Sequence, residues 1–296
     1  MARPLVHDQS GLSNLWTFVG VVVLIGAILG VYYGYVVPRF PGPPLRAHGG
    51  DSVNVDYIGT FAENGLVFDT SLPDVAADNA SYTKAFAFSW RESFSPLPFT
   101  VGAGAVVRGF DLGIQGLAVG ETKTIVVLAA QGYGPADPSK ILIKPLFETV
   151  PVRLTMDASD FFTTYGSSPV SGTNVTDPLW GWPAYVTVAG TIVTVTNSPI
   201  PGQVVRPHRA WDAQIVSIDD TADAGRGKIG VHHLLDASAV DRIGKGTTDP
   251  QGRRTIEFIV TAVDLEAGTY TLNYNDATKG RTLVFQVTMV SINRAY

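Results

Sequence analysis

Residues Tyr57–Thr70 read YIGTFAENGLVFDT and carry the strongest fold signal in the chain. Two runs of β-forming residues flank Asn64-Gly65, a pair typical of a type I′ turn because both central residues of that turn need positive φ angles. The first run belongs to a longer segment, Ser52 to Phe61, in which apolar and polar residues alternate as in a half-buried strand. The segment therefore predicts an antiparallel β-hairpin.

Further motifs follow this hairpin and supply aromatic and apolar residues. They are Pro98-Phe99, Val106-Val107-Arg108-Gly109-Phe110, Gly132-Tyr133-Gly134 and Thr282-Leu283-Val284-Phe285. Phe110, Ile114 and Leu117 recur at a spacing that predicts one face of a short helix. Residues 122–130 predict a strand, whereas 72–97 shows no clear period and predicts a long loop. The soluble part is thus predicted to be mainly β, with one short helix.

The composition disfavours several classes of function. The chain has 296 residues and a net charge of −5, which disfavours a nucleic acid partner because phosphate-binding surfaces need excess Lys and Arg. It contains no cysteine, which excludes disulfides, thiolate metal sites and cysteine nucleophiles. His232-His233 lacks further ligands at metal-site spacing, and Gly102, Gly104 and Gly109 do not match a dinucleotide-binding loop. We therefore expect no cofactor and no metal.

An uncharged run, Leu15–Val37, predicts a transmembrane helix. At 1.5 Å per residue it would span about 34 Å, enough for a bilayer core. A cleaved signal peptide is the alternative, but the run exceeds the usual apolar region of about 7–15 residues. We expect an N-terminal tail (1–14), a single-pass anchor in the cell membrane, a Pro/Gly linker (38–47) and a soluble domain outside the cytoplasm.

The second half of the chain contains an internal repeat. The matching pairs are Asp157-Ala158-Ser159 with Asp236-Ala237-Ser238, Ala189-Gly190-Thr191 with Ala267-Gly268-Thr269, Asn197 and Gly202 with Asn275 and Gly280, and Val216-Ser217-Ile218 with Val290-Ser291-Ile292. All but the last are offset by 78–79 residues. Alternation over residues 185–188 and 191–195 predicts a hairpin in the first copy. The repeat predicts two related small β modules, at about 150–222 and 228–280.

In this order, the hairpin and the motifs resemble the FKBP-type peptidyl-prolyl cis-trans isomerases. The resemblance implies an antiparallel sheet wrapped on a short helix, formed by residues 48–140 and 281–296. Residues 141–280 then lie between the Gly132-Tyr133-Gly134 loop and the closing strand. That position is similar to the "insert-in-flap" chaperone domain of the SlyD-type branch. Here the insert is roughly twice as long as in that branch and internally duplicated.

The same resemblance implies a prolyl pocket. Its residues would be Tyr57, Phe68, Asp69, Phe99, Val106, Val107, Phe110, Tyr133 and Phe285. Phe110, where many family members have Trp, would form the floor, and Tyr57, Phe99 and Phe285 the walls. The Val107 N–H and the Tyr133 hydroxyl would hydrogen-bond substrate carbonyls, and Asp69 would orient Tyr57. Taken singly, each residue also fits an ordinary role in a core or a turn, so the ordered combination carries the interpretation.

We therefore predict a membrane-anchored peptidyl-prolyl cis-trans isomerase with chaperone activity. Its partners would be unfolded polypeptides, bound at Xaa-Pro segments. Two alternatives remain at this point: a membrane-anchored chaperone without isomerase activity, and a structural protein of β modules. Trp180, Trp182 and Trp211 in the insert are expected to form its core, the other reading being an exposed surface that holds unfolded chains.

Overall fold

The computed structural model describes residues 10–36, 44–249 and 254–294, and it divides the chain into two units between Arg46 and Ala47. The first unit contains helix α1, Ser10–Val31, followed by a π-helical turn, Tyr32–Val36. Within it, Phe18–Tyr35 has a mean hydropathy of 2.0 and is wholly exposed, so it is long and apolar enough to cross a membrane by length and composition. The end of the predicted span at Val37 and most of the predicted linker lie outside the described residues.

The second unit begins at Ala47 and is mostly antiparallel sheet. Its described α-helices are α2 (Pro73–Ala77), α3 (Arg108–Ile114) and α4 (Ala158–Tyr165). Its strands are β1 (Ser52–Phe61), β2 (Val67–Thr70), β3 (Leu97–Thr100), β4 (Thr122–Val127), β5 (Ile141–Pro145), β6 (Phe147–Pro151), β7 (Arg153–Met156), β8 (Thr173–Thr176), β9 (Pro183–Ala189), β10 (Ile192–Asn197), β11 (Val204–Val205), β12 (Ala213–Asp219), β13 (Lys228–His233), β14 (Gly244–Thr248), β15 (Arg254–Asp264), β16 (Thr269–Asn273) and β17 (Leu283–Asn293).

The first sheet joins both ends of this unit. Its strand order is β2-β1-β17-β4, and β3 also pairs with β1. Strand β17 pairs with β1 from Phe61↔Leu283 to Ser52↔Asn293 and with β4 on its other side. The predicted strand at Ser52–Phe61 and the predicted closing strand are confirmed, and Phe285 lies in the centre of the N-terminal sheet. Strand β17 begins 222 residues after Phe61, its partner at the end of β1, and 156 residues after the end of β4, so a segment distant in sequence completes the sheet.

The predicted hairpin is confirmed, but its predicted turn type is wrong. The Phe61 N–H donates to the Leu66 carbonyl, so the loop has four residues, 62–65, instead of two. Gly65 has a φ of 70°, whereas Asn64 is not among the residues with positive φ. The Asn64 side chain instead accepts from the Leu66 N–H and donates to Asp241 at 2.6 Å. Side-chain bonding, and not a left-handed backbone, is the role of this Asn.

Helix α3 packs very closely on the first sheet because two of its residues have no side chain. A Cβ atom at Gly113 would lie 2.4 Å from a methyl group of Ile125, and one at Gly109 would lie 2.8 Å from Val127. Phe110, Ile114 and Leu117 are all buried, but the predicted helix face is right only for the first two. The backbone turns extended at Gln115, so the helix ends at Ile114 and Leu117 lies three residues beyond it. We call residues 72–97 the flap. The three side chains belong to the hydrophobic core that the first sheet shares with the flap.

The insert forms three four-stranded sheets. Their strand orders are β7-β10-β9-β8, β11-β12-β13-β6 and β14-β15-β16-β5. The predicted hairpin over 185–195 is confirmed as β9 and β10, with Gly190 in the turn at a φ of 61°. The two strands at the start of the insert pair with strands far along it, because β5 joins β16 and β6 joins β13. The proposed boundaries of the two modules stay a prediction.

Matching positions of the repeat make matching local structures. The Asp157 and Asp236 side chains each accept a backbone N–H at the start of a helical turn. Val216 and Val290 are each the extra residue of a β-bulge, in β12 and β17 respectively.

The two ends of the insert lie side by side. The Asn275 side chain accepts from the Asp137 N–H at 2.9 Å and donates to the Asp137 carbonyl at 3.0 Å. Farther along, Arg281 donates through two nitrogens to the buried carboxylate of Asp241, at 2.8 and 2.7 Å, and its guanidinium lies 3.6 Å from the centre of the Phe61 ring. These bonds fix the insert against the first sheet.

Candidate active site

A cavity of about 520 Å³ opens where β1, β2, β17, helix α3 and the loop after β4 meet. It is lined by Tyr57, Phe68, Asp69, Arg91, Leu97, Gly104, Ala105, Val106, Val107, Phe110, Tyr133 and Phe285. Eight of the nine predicted pocket residues are in this set. The ninth, Phe99, lies behind the floor, with its ring 6.0 Å from that of Phe110, and it is not among the lining residues.

The inner end of the cavity is a cluster of aromatic rings set edge to face. Phe110 meets Phe285 at 5.0 Å and Tyr57 at 6.2 Å between ring centroids, with interplanar angles of 81° and 82°. Phe68 meets Phe285 at 5.7 Å and 84°. These distances and angles are the favourable ones for aromatic pairs. The structure thus brings together rings from four separate parts of the chain.

Gly59 explains how these rings approach the central strand. A Cβ atom at this position would lie 2.9 Å from the Phe68 ring and 3.0 Å from the Phe285 ring. Glycine therefore leaves the space in which both rings pack over β1. The apolar floor of the cavity depends on this one missing side chain as well as on the rings themselves.

A polar network edges the aromatic cluster. The Tyr57 hydroxyl donates to Asp69 Oδ2 at 2.6 Å, the contact on which the expected orienting role of Asp69 depends. Arg91 donates to Asp69, to the Thr70 carbonyl at 3.0 Å and to the Tyr57 hydroxyl oxygen at 3.3 Å. Burial, and next the neighbouring Asp69 carboxylate, raise the pKa of Tyr57. The hydroxyl is therefore a neutral donor throughout the physiological pH range.

Two further polar groups reach the opening. The Tyr133 side chain lines the cavity with 47% of its surface exposed, and burial of the remainder raises its pKa, with smaller contributions from Asp69 and Asp276. The backbone of Val107 precedes helix α3, and its carbonyl accepts from the Phe110 and Asp111 N–H groups. No partner for the Val107 N–H occurs within the described part of the chain. An apolar cup with donors at its rim can bind an apolar ring that carries carbonyl groups beside it.

Sequence reasoning missed four lining residues: Arg91, Leu97, Gly104 and Ala105. Arg91 lies 22 residues after Asp69 in the irregular flap, and no local pattern predicts which flap residue returns to the site. Its guanidinium also lies 5.3 Å from the centre of the Phe94 ring. The other three flank recognised motifs, so extending the motifs by one or two residues would have found them.

The remaining candidate residues of the sequence lie in the insert. Trp180, Trp182 and Trp211 are at most 4% exposed, so the expectation that they form the core of the insert is confirmed. His233 is buried among them and accepts from Trp211 Nε1 at 2.9 Å, whereas His232 stacks on Phe147. None of these residues contributes to the 520 Å³ cavity.

Comparisons with known proteins agree with this geometry. The family model for FKBP-type peptidyl-prolyl cis-trans isomerases matches residues 44–148, which contain the hairpin, the flap and helix α3. The chain is 36% identical over 109 residues to the short-type peptidyl-prolyl cis-trans isomerase of Methanocaldococcus jannaschii. It is 30% identical over 127 residues to peptidyl-prolyl cis-trans isomerase FPR2 of Saccharomyces cerevisiae, and 36% identical over 90 residues to FK506-binding protein 2 of Candida glabrata.

The extent of these matches differs between the relatives. They cover 37%, 42% and 30% of this chain, and 60%, 79% and 52% of the respective relative. The insert beyond residue 148 lies outside the family match. In the isomerase region, the sequence identity to these relatives and the aromatic cavity support the same family. The chain belongs to the FKBP-type peptidyl-prolyl cis-trans isomerase family.

Proposed function

We propose that the protein catalyses cis-trans isomerisation of Xaa-Pro bonds in unfolded polypeptides. The observation that carries this proposal is the convergence of Tyr57, Phe68, Phe110 and Phe285 around a cavity of about 520 Å³. The proline ring enters the apolar cup, and the carbonyl groups of the adjoining residues meet the donors at the rim.

The chemistry needs no covalent intermediate and no cofactor. The barrier of about 18–20 kcal/mol arises from the partial double-bond character of the amide C–N bond. A catalyst must bind the twisted amide, which has lost that conjugation, more tightly than the planar form. Removal of water from the substrate carbonyl contributes, because water hydrogen bonds favour the planar, polarised amide. The aromatic floor supplies such a water-poor surface.

The rim residues hold the substrate in the reactive orientation. The Val107 N–H and the Tyr133 hydroxyl donate to substrate carbonyls on either side of the bond that rotates. Asp69 and Arg91 hold the Tyr57 hydroxyl in place. Asp69 does not act as a general base, because isomerisation moves no proton.

The insert adds chaperone activity in this proposal, as in the SlyD-type branch that its position between β4 and β17 resembles. Strand β5 supports this role, since it pairs with β16 alone among the described strands and therefore forms a sheet edge. Ile141, Leu142 and Ile143 on that edge are 37%, 42% and 70% exposed. An extended unfolded chain can add to such an edge through backbone hydrogen bonds and apolar contacts.

Helix α1 anchors the enzyme in the cell membrane, with the larger unit on the extracytoplasmic side. The length and hydropathy of Phe18–Tyr35 support an anchor, and the substrates would then be secreted or surface proteins during folding. The chain lacks cysteine, so Glu266→Cys in an exposed turn creates a unique thiol. Labelling of that thiol in intact cells by a membrane-impermeant maleimide tests the orientation. Labelling only after cell lysis would contradict it.

The isomerase proposal is tested with the full chain in mild detergent. We expect it to accelerate both the isomerisation of a short peptide with one Xaa-Pro bond and a proline-limited refolding reaction. Tyr133→Ala should lower both rates, whereas Tyr185→Ala, which removes a similarly exposed tyrosine from the insert (44% against 47%), should lower neither. Suppression of aggregation without any acceleration would instead establish the alternative, a chaperone that is not an isomerase.

A further inference from the structure

A second cleft, of about 380 Å³, adjoins the prolyl pocket. Phe68, Asp69 and Tyr133 line both cavities and form the wall between them. On its far side the cleft is lined by Ala87 and Ser89 of the flap and by Arg254, Ile256, Tyr274 and Asp276 of the insert. With Asn275, Ala277 and Thr278, seven of the twelve lining residues lie outside the region that matches the isomerase family.

The cleft is preformed. Arg254 Nη1 donates to the Phe86 carbonyl at 2.7 Å and its guanidinium lies 3.8 Å from the centre of the Phe86 ring, which ties β15 to the flap. Asp276 Oδ1 accepts from the Thr278 N–H and hydroxyl, which fixes the turn that leads from β16 to β17. Because both walls are held by such bonds, a ligand can enter without first ordering them.

The lining of the cleft suits a polypeptide backbone with mixed side chains. Ser89, Tyr274 and Asp276 offer hydrogen-bonding groups, and Ala87 and Ile256 offer apolar surface. Asp276 also acts on Tyr133, whose pKa it helps to raise after burial and Asp69. A chain leaving the prolyl pocket past Tyr133 therefore passes directly into the cleft.

We propose that this cleft binds the extended polypeptide segment that flanks the proline, so that insert residues contribute to substrate recognition. This inference rests on the proposed isomerase function. Binding energy from such a remote segment can be used to hold the prolyl bond in its reactive geometry, so a truncated substrate loses turnover as well as affinity. The insert then acts as part of the substrate site, in addition to holding unfolded chains elsewhere on its surface.

The test compares substrates of different length on the full chain in detergent. One substrate is a tetrapeptide with a single Xaa-Pro bond, and two others carry about eight further residues on its N-terminal or its C-terminal side. We expect kcat/KM for one extended peptide to exceed that for the tetrapeptide by about tenfold or more. Ile256→Trp, which fills the cleft, should abolish this advantage and leave the tetrapeptide rate unchanged.

The control is Thr255→Trp, on the neighbouring exposed position of β15 that points to the other face of the strand. It should retain the advantage of the extended peptide. Ser89→Trp fills the cleft from the flap and covers the case in which Ile256→Trp does not fold. Equal rates for short and extended peptides in the wild type, or an unchanged advantage in the filled variants, would overturn the inference. Absence of activity on the tetrapeptide would instead refute the isomerase proposal itself.

Discussion

The protein contains two clusters of buried aromatic rings, one in the isomerase region and one in the insert, and they are packed in different ways. In the first, the rings of Tyr57, Phe68, Phe110 and Phe285 face a cavity of about 520 Å³. In the second, Trp180, Trp211, His233 and Tyr270 surround only about 200 Å³. Within the insert cluster Trp211 Nε1 donates to His233 Nδ1, whereas the Tyr57 hydroxyl of the first cluster bonds outward to Asp69 at the rim.

This difference separates a binding surface from a structural core. In both clusters the rings are almost wholly buried, so burial alone does not distinguish them. What distinguishes them is where the polar atoms point and how much volume the rings leave unfilled. If the comparison is sound, substitutions in the insert cluster will change stability, and substitutions in the pocket cluster will change catalysis.

The largest effect is expected for Trp182→Ala, since the Trp182 ring stacks on that of Trp180 in the insert cluster, at 5.0 Å between centroids. Trp182 is fully buried and donates from Nε1 to Asn197 Oδ1 at 2.9 Å. The truncation creates a cavity and should cost about 3–5 kcal/mol in the free energy of unfolding. Denaturant unfolding followed by tryptophan fluorescence measures this loss. At a temperature where the variant remains folded, its activity on a tetrapeptide should match the wild type, and a large loss of that activity would break the comparison.

Tyr133→Phe should show the opposite behaviour. It removes one hydroxyl from a half-exposed side chain, so the unfolding midpoint should stay within error of the wild type. Loss of one hydrogen bond to the substrate should lower kcat/KM about tenfold, which corresponds to about 1.4 kcal/mol. Tyr185→Phe in the insert is the matched control. Equal activity of the two variants would show that the Tyr133 hydroxyl does not contact the substrate.

Removal of the Arg91 side chain should have a smaller effect on both stability and kcat/KM. Arg91 pairs with Asp69 while 40% of its side chain is exposed, and such a pair contributes about 1 kcal/mol or less. We expect Arg91→Ala to lower kcat/KM by less than about fivefold, through looser placement of Tyr57. Arg206→Ala breaks an exposed ion pair with Asp212 in the insert and should leave kcat/KM unchanged. A larger loss for Arg91→Ala would give this residue a direct role in binding.

The smallest effect is expected when the pH is changed, both on kcat/KM and on the stability of the insert. Burial first, and then the Asp69 carboxylate, raise the pKa of Tyr57, and no histidine lines the pocket, so kcat/KM on a tetrapeptide should be flat between about pH 6 and 9. In the insert, burial and the nearby Lys245 lower the pKa of His208. Its unfolded state therefore takes up a proton first as the pH falls, so the insert should lose stability below about pH 6.5.

Thermal unfolding of the insert, followed by tryptophan fluorescence between pH 7 and 5, checks the second half of this prediction. His208→Asn is the control, since Asn tolerates the positive φ of 55° at this position and does not titrate in this range. The pH dependence of the variant should be weaker than that of the wild type. A bell-shaped activity profile between pH 6 and 9 would contradict the first half, because it would require a titrating group in catalysis.

Much of the isomerase region could be predicted from the sequence because its signals are local. The alternation over Ser52–Phe61 and the spacing of Phe110 and Ile114 follow from the geometry of a strand and a helix. The order of the motifs then placed Phe285 in the same sheet as Tyr57. The four-residue turn was not predictable, because the bond from Asn64 to Asp241 depends on a residue of the insert.

Other features depend on packing and not on sequence period. Arg91 belongs to a flap without repeating pattern, and its position follows from the Asp69 carboxylate and the Phe94 ring. Phe99 alternates as a pocket wall would, yet the register of β3 on β1 places it behind Phe110. The contribution of Ile256 to the second cleft depends on a contact between residues far apart in sequence, the bond from Arg254 to the Phe86 carbonyl that ties β15 to the flap. Such contacts are decided by the tertiary fold.

The two hydrogen bonds between the Asn275 side chain and the Asp137 backbone have a consequence for the evolution of the insert. The Asn275 side-chain amide holds the two ends of the insert together through the Asp137 backbone. The distance between the two points where the insert joins the isomerase region is therefore fixed, whatever the length of the insert. Extra sequence can then accumulate beyond these two bonds at little entropic cost, since loop closure depends only weakly on length. Duplication of sequence within the insert can therefore be tolerated while the isomerase region keeps its structure.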